Sequence, residues 1–210
     1  MTIASPRKPS RAEQLVARRA ALLDAAERVA LERGLANTRV ADVAAATEVS
    51  AGLIHYHFSS KDELFAEMLK TAAQRDIDRV RRIVDGSGSA VSRLDRLLKE
   101  FVPAERGDQS WVLWIDAWGA ALRDPGLRDI TTELDDAWTE LLERVLRAGA
   151  DSGEFDCPDP AASACRLAAL LDGFGVRIAL QGKQSRREAL RHARIAAARE
   201  AGIDESDFPA

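Results

Sequence analysis

Residues 38–61, TRVADVAAATEVSAGLIHYHFSSK, restrict what this chain can fold into more than any other stretch. Val40, Val43 and Ala44 recur at helical spacing behind a cap at Thr38, which predicts a short helix stopping near Thr47. Val49 then plugs a turn, and Ser50 opens a second helix of about two turns with Leu53, Ile54 and Phe58 on its apolar side. Ser60 caps a longer helix that begins at Lys61, with Asp62 and Glu63 in its first turn, where acidic side chains complement the helix dipole. A two-turn helix has too few hydrogen bonds to stand alone, so its neighbours must clamp it.

A short helix held in this way fits a DNA major groove about 12 Å wide and offers its N-terminal residues to base edges. Gly52 lets backbone approach phosphate, and Ser50, His55, Tyr56 and His57 bring hydroxyl and imidazole groups. Lys61 combines a positive charge with the free amides of a helix start, which suits a phosphate. Ala51 and Leu53 face the groove as apolar groups, pointing to contact with thymine methyls. The alternative is a helical hairpin whose aromatic residues merely pack, but three consecutive polar aromatics on so short a helix are hard to bury.

The same residues resemble the N-terminal domain of TetR-family transcriptional regulators. The matching stretches are LLDAAERVALERG (22–34), Thr38, VADVAA (40–45), VSAG (49–52) and HYHFSSK (55–61), about the first third of the chain. The chain departs from the family pattern at four positions. Glu48 stands at the turn position commonly held by glycine, where a left-handed conformation costs a non-glycine residue roughly 1–2 kcal/mol. Ala30 replaces an aromatic, His55 replaces a tyrosine, and Arg39 replaces a small hydroxyl residue, adding a possible backbone or minor-groove contact. The resemblance carries phosphate contact to Tyr56, His57 and Lys61. The full expected DNA-contacting set is Thr38, Arg39, Ser50, Ala51, Gly52, Leu53, His55, Tyr56, His57 and Lys61.

Charge is distributed accordingly. The chain as a whole is at net -4, but residues 1–61 hold nine basic against six acidic side chains and are at net +3, leaving net -7 on the rest. One end is suited to phosphate and the other is not. The expected organisation is a disordered basic arm over 1–11, a helix-turn-helix domain over 12–60 and a helical effector-binding and dimerisation domain over 61–210. The arm (PRKPSRAEQ, 6–14) either follows the DNA backbone or is solvated.

Proline and glycine are sparse and separate alanine-, leucine- and arginine-rich runs, so the fold is expected to be all-α, with about nine helices. One long helix runs from Lys61 to the break at Asp85-Gly86-Ser87-Gly88, and another carries Val91 to Phe101 and stops at Pro103. A third, from Ser110 to Arg123, puts Trp111, Trp114 and Trp118 on one stripe before Asp124-Pro125-Gly126. Ile130 to Ala148 defines the next. From Asp159 to Gln181 apolar residues surround nearly the whole helix, and a thinner alanine stripe follows over 186–201.

These last two helices have two readings: an internal core, or the seam of a four-helix bundle between two copies. The expected seam is Ala164, Leu167, Ala168, Leu171, Gly175, Ile178, Ala193 and Ala197, and a homodimer also matches a palindromic operator, whose half-sites lie about 34 Å apart. The tryptophan stripe is either plain core or the wall of a ligand site. The family resemblance implies an effector pocket among the central helices, expected here from Phe101, Trp111, Trp114, Trp118, Trp138 and Phe174. With no ring of charges evident beside them, the expected effector is small and mainly apolar or aromatic, a cation against the aromatic faces being the other option. The C-terminal half loosely resembles the subgroup around choline-pathway repressors through W-x-x-W (111–114), D-P-x-L-R (124–128) and L-L-D-G (170–173), a ligand-diverse subgroup that names no effector.

Enzyme chemistry finds no support. Phosphate loops, G-x-S-x-G and H-E-x-x-H are absent, and of three histidines His55 and His57 fall about 200° apart around a helix, so they cannot share a metal. Asp135 and Asp136 are expected on a solvated face. No cofactor is expected. Two cysteines at no metal-ligand spacing suggest a reducing compartment, and no run of 18 or more apolar residues appears, so the expected setting is the cytoplasm. The expectation is a ligand-responsive, DNA-binding repressor. The alternative is a helical small-molecule-binding or interaction protein without sequence-specific DNA binding.

Overall fold

The computed structural model describes residues 10–209, so the expected arm lies outside the described residues as far as residue 9. The chain divides into two compact units between Thr71 and Ala72. Among the described residues every regular element is helical.

The first unit contains α1 (Arg11–Arg33), α2 (Val40–Ala46), α3 (Ala51–His57) and the first half of α4 (Lys61–Val84). Ser10 starts α1 with a capping box: its hydroxyl accepts from the Glu13 amide, and the Glu13 carboxylate accepts from the Ser10 amide. Leu22, Val43, Ile54, Phe58 and Leu64 are almost fully buried, so each of the four helices contributes to one small core. Arg19 of α1 donates to both carboxylate oxygens of Glu67 on α4, and its guanidinium lies 4.3 Å from the centre of the Phe58 ring. That places a cation–π contact at the exit of α3.

Thr38 departs from expectation. Arg39, not Thr38, is the N-cap of α2, its amide donating to Asp42 at 2.9 Å. The Thr38 side chain is fully buried and its hydroxyl donates to the Gly34 carbonyl at 2.9 Å, closing the turn after α1. A satisfied, buried hydroxyl has nothing left to offer DNA.

The second unit contains the rest of α4, then α5 (Ala90–Phe101), α6 (Gln109–Ala121), α7 (Pro125–Ser152), α8 (Pro160–Val176) and α9 (Arg186–Ala201). A π-helical turn, Arg177–Gln181, extends α8, and a short 3₁₀ turn, Glu205–Asp207, follows α9. The Asp124-Pro125-Gly126 break is also a start: Asp124 accepts from the Leu127 amide and Pro125 takes the first turn of α7, where its missing N–H costs nothing. Asp159-Pro160 repeats the device at α8.

The core of this unit corrects the expected dimer seam. Ala164, Leu167, Ala168, Leu171, Gly175, Ile178, Ala193 and Ala197 are all buried within their own chain. The small size of Ala164, Ala168, Gly175, Ala193 and Ala197 serves close packing inside the subunit. A Cβ on Gly175 would meet the Trp111 ring of α6, and one on Gly149 would meet the Phe155 ring. The outer face of α8 is different: Ala162 and Val176 are partly covered, and Cys165, Ala169, Leu170 and Gly173 are exposed.

Candidate DNA-binding surface and effector cavity

In the first unit α3 is positioned from both ends. Ser50 accepts from the Leu53 amide at 3.2 Å, Phe58 closes the helix, and Ser60 accepts from the Glu63 amide at 3.0 Å to start α4. The α2–α3 turn passes through Glu48 at φ 54°, a left-handed conformation that favours glycine. With Ile54 turned inward, Ser50, Ala51, Gly52, His55 and Tyr56 are exposed, while Leu53, His57 and Lys61 are partly covered. Tyr56 leaves 67% of its surface open and packs edge-on against His57, with ring centres 5.3 Å apart. The Lys61 ammonium lies 5.4 Å from the centre of the Phe65 ring, a cation–π contact at the start of α4. Arg39 is exposed beside the α2 start, where Arg33 and Asp42 pair at 2.8 Å. Of the ten residues expected to contact DNA, only Thr38 is withdrawn into the interior.

In the second unit a cavity of about 210 Å³ opens among α4, α5, α6, α7, α8 and the start of α9. Phe101, Trp111, Trp114, Trp118 and Trp138 line it, five of the six aromatic residues expected there. Phe174 does not: it stacks on His192 of α9, with ring centres 6.2 Å apart. The aromatic wall is fixed by its own contacts. Phe101 meets Trp138 edge-on at 4.7 Å, Trp118 lies against both Trp111 and Trp114, and the Trp111 indole N–H donates to the Phe101 carbonyl at 3.1 Å.

The cavity is also more highly charged than the sequence suggested. Asp76, Arg79, Lys99, Glu100, Asp108, Asp135, Asp172 and Arg186 share its lining with the aromatics. Arg79 bridges Asp76 at 2.6 Å and Glu100 at 2.7 Å. Asp135 is exposed, as expected of a solvated face, and it also lines the cavity with the half-buried Asp172. Burial, and then the nearby Asp135 carboxylate, push the Asp172 carboxyl up to about 6. Burial and the neighbouring Asp136 raise Asp135. The adjacent helices α7 and α8 bring these carboxylates together from distant points of the chain, and although Asp172 lies in the L-L-D-G stretch, nothing local placed either residue at the cavity.

A capped, two-turn helix exposed on a small helical unit, and a second helical unit built around an aromatic cavity, together define a one-component regulator that touches DNA with one part and a small molecule with another. Residues 22–68 match the bacterial regulatory proteins of the tetR family, and residues 90–202 match the BetI-type transcriptional repressor C-terminal family. The chain belongs to the TetR family of transcriptional regulators, with a C-terminal half of the BetI type.

It is 31% identical over 172 residues to the regulator BetI of Burkholderia cenocepacia, covering 79% of this chain and 84% of that one. It is 28% identical over 149 residues to the repressor KstR2 of Mycobacterium tuberculosis, covering 69% and 74%. Among solved structures, a transcriptional regulator from Saccharomonospora viridis in complex with choline superposes with a TM-score of 0.75 at 30% identity, over 85% of this chain and 94% of that one. A TetR-family regulator from Rhodococcus sp. gives 0.73 at 27% identity, over 89% and 98%.

Among the described residues no helix is long and apolar enough to cross a membrane.

Proposed function

We propose that this chain is a cytoplasmic, non-enzymatic repressor that binds a palindromic operator as a homodimer and is released from it by a small organic cation. The observation that carries the effector class is the pairing of four tryptophans with two carboxylates, Asp135 and Asp172, in one cavity. Tryptophan faces attract cations, most strongly where water is excluded. An uncompensated carboxylate in the same space adds long-range attraction and disfavours anions. The choline bound to the Saccharomonospora viridis relative is a cation of this kind. A purely apolar effector would leave Asp135 and Asp172 facing it without a counter-charge.

The DNA contacts are Arg39, Ser50, Ala51, Gly52, Leu53, His55, Tyr56, His57 and Lys61. Arg39, Tyr56, His57 and Lys61 serve the phosphates, and the exposed start of α3 serves the bases. Dimerisation uses the outer face of α8, where Ala162, Cys165, Ala169, Gly173 and Val176 recur at helical spacing, together with His192, Ile195 and Ala196 of α9. Asp76 and Arg79 belong to α4, the helix that begins at Lys61, so an effector that favours one placement of α4 changes DNA affinity. Coupling of this sort is worth about 1–3 kcal/mol.

Mobility-shift titration on the DNA upstream of the protein's own gene tests the proposal. Tight, salt-sensitive binding that choline weakens is the expected result. Equal affinity for a scrambled duplex overturns the repressor reading.

A further inference from the structure

Asp135 and Asp172 differ from every other charge at the cavity. From α4, Asp76 and Arg79 pair with each other, and Arg79 also holds Glu100 of α5. Lys99 of α5 is paired with the buried Asp95 at 2.7 Å, and Arg194 of α9 holds the same carboxylate at 2.8 Å. Arg186, at the start of α9, donates to the Lys99 carbonyl at 2.7 Å. Asp108, ahead of α6, accepts from the amides of Ala104 and Trp111. Asp135 on α7 and Asp172 on α8 have neither an ion pair nor a hydrogen bond among the described residues. Both face the aromatic wall formed by Trp111, Trp114, Trp118 and Trp138.

An unpaired, half-buried carboxylate at Asp172, beside apolar rings and near the exposed charge of Asp135, is costly while the cavity is empty. The cost is reduced if one of the two holds a proton, and it is removed if a cation enters. Asp172 is the better placed to hold the proton, because it is the more enclosed of the two and faces the charge of Asp135.

We propose that Asp172 is the residue that reads the effector's charge, and that it does so by exchange: an entering organic cation displaces a proton from its carboxyl group. The O–H bond breaks, the electron pair stays on the carboxylate oxygen, and the proton leaves to the buffer. Effector response is therefore linked to pH and weakens in acid. This rests on the cation reading of the cavity and adds to it which residue discriminates and what it releases.

Calorimetric titration of the full-length protein with choline and with benzyltrimethylammonium between pH 5 and 8, in buffers of different ionisation enthalpy, tests this, with tryptophan fluorescence as a second readout. With Asp172 titrating at about 6, cation affinity at pH 5 is expected to be about tenfold lower than at pH 8, with roughly half a proton released per cation near pH 6. The neutral choline isostere 3,3-dimethylbutan-1-ol is expected to show neither effect. Asp172→Asn should remove the pH slope and the proton release, whereas Asp135→Asn should weaken cation binding but keep the proton release, with the slope moved to lower pH. Thermal melts establish that the variants fold, and the wild-type profile stands without them. If neither cation binds at pH 8, the cation site itself falls and this inference falls with it. Binding that is equally tight at pH 5 and 8, or a slope that survives Asp172→Asn, overturns the inference alone.

Discussion

The Trp111 ring occupies the space a side chain at Gly175 would need: a Cβ built on Gly175 would lie 1.9 Å from the Trp111 ring. One glycine of α8 thereby seats a tryptophan of α6, and the same indole forms part of the cavity wall. The ring cannot swing aside freely, because its N–H is tied to the Phe101 carbonyl.

Gly175→Ala should therefore destabilise the protein by about 1–3 kcal/mol through overpacking, against the usual helix-favouring effect of alanine. Urea denaturation measures the loss, and a changed tryptophan emission in the folded state would locate it at the cavity.

Glu48→Gly should act in the opposite direction. Glu48 is the one non-glycine residue with positive φ among the described residues, and relief of that strain is partly offset by the added freedom of glycine in the unfolded chain. A gain of about 0.5–1 kcal/mol in urea denaturation is expected. A loss would mean that the Glu48 side chain contributes more than its backbone costs.

How much of this was legible in the sequence depended on whether the signal was local. Ser50, Ser60 and the apolar positions around them defined α3 because caps and periodicity operate within a few residues. Thr38 was misread because its hydroxyl goes back to Gly34, a choice between two local bonds that a threonine before a helix does not reveal. The spacing of Trp111, Trp114 and Trp118 put three rings on one stripe, and it was the family resemblance, not the spacing, that made the stripe a cavity wall rather than plain core. The place of Asp135 and Asp172 at the cavity was not legible, because Asp135 is exposed as an acidic residue on an amphipathic helix ordinarily is, and only the packing of α7 on α8 brings the two to one cavity. The apolar girth of α8 predicted cover on more than one side. It did not show which side faces its own core, and Ala164, Leu167 and Gly175 proved to be on that side.

The outer face of α8 gives a direct test of assembly. Ala169 is exposed in the single subunit, so Ala169→Arg should leave the fold and its thermal midpoint nearly unchanged, since surface substitutions usually shift stability by less than about 0.5 kcal/mol. Sedimentation should then show a shift from dimer to monomer, with loss of tight binding to a palindromic duplex. A variant that remains dimeric would move the interface elsewhere.

At the DNA-binding surface, Lys61→Ala should weaken binding across sequences and lower the slope of log affinity against log salt by about one. Tyr56→Ala should cost about 1 kcal/mol, the usual size of one lost hydrogen bond, without changing helicity, because the ring is mostly exposed and supports no core. Mobility-shift titrations at several salt concentrations, with circular dichroism on the same samples, separate these effects from unfolding.

Asp172→Asn should also change how stability depends on pH. In the folded chain the carboxyl titrates at about 6 against an ordinary 3.8, so between those values the folded state holds more protons than the unfolded one. The contribution of this group is thus most favourable below about 3.8 and is lost as pH rises through about 6. At pH 8 the ionised group costs the fold about 1–2 kcal/mol, less than the full shift implies because the group is partly solvated. Asparagine removes the charge and keeps the shape. The variant should therefore melt higher than wild type at pH 8, with the difference vanishing toward pH 4. A difference that stays constant across that range would mean that position 172 acts through packing rather than through charge.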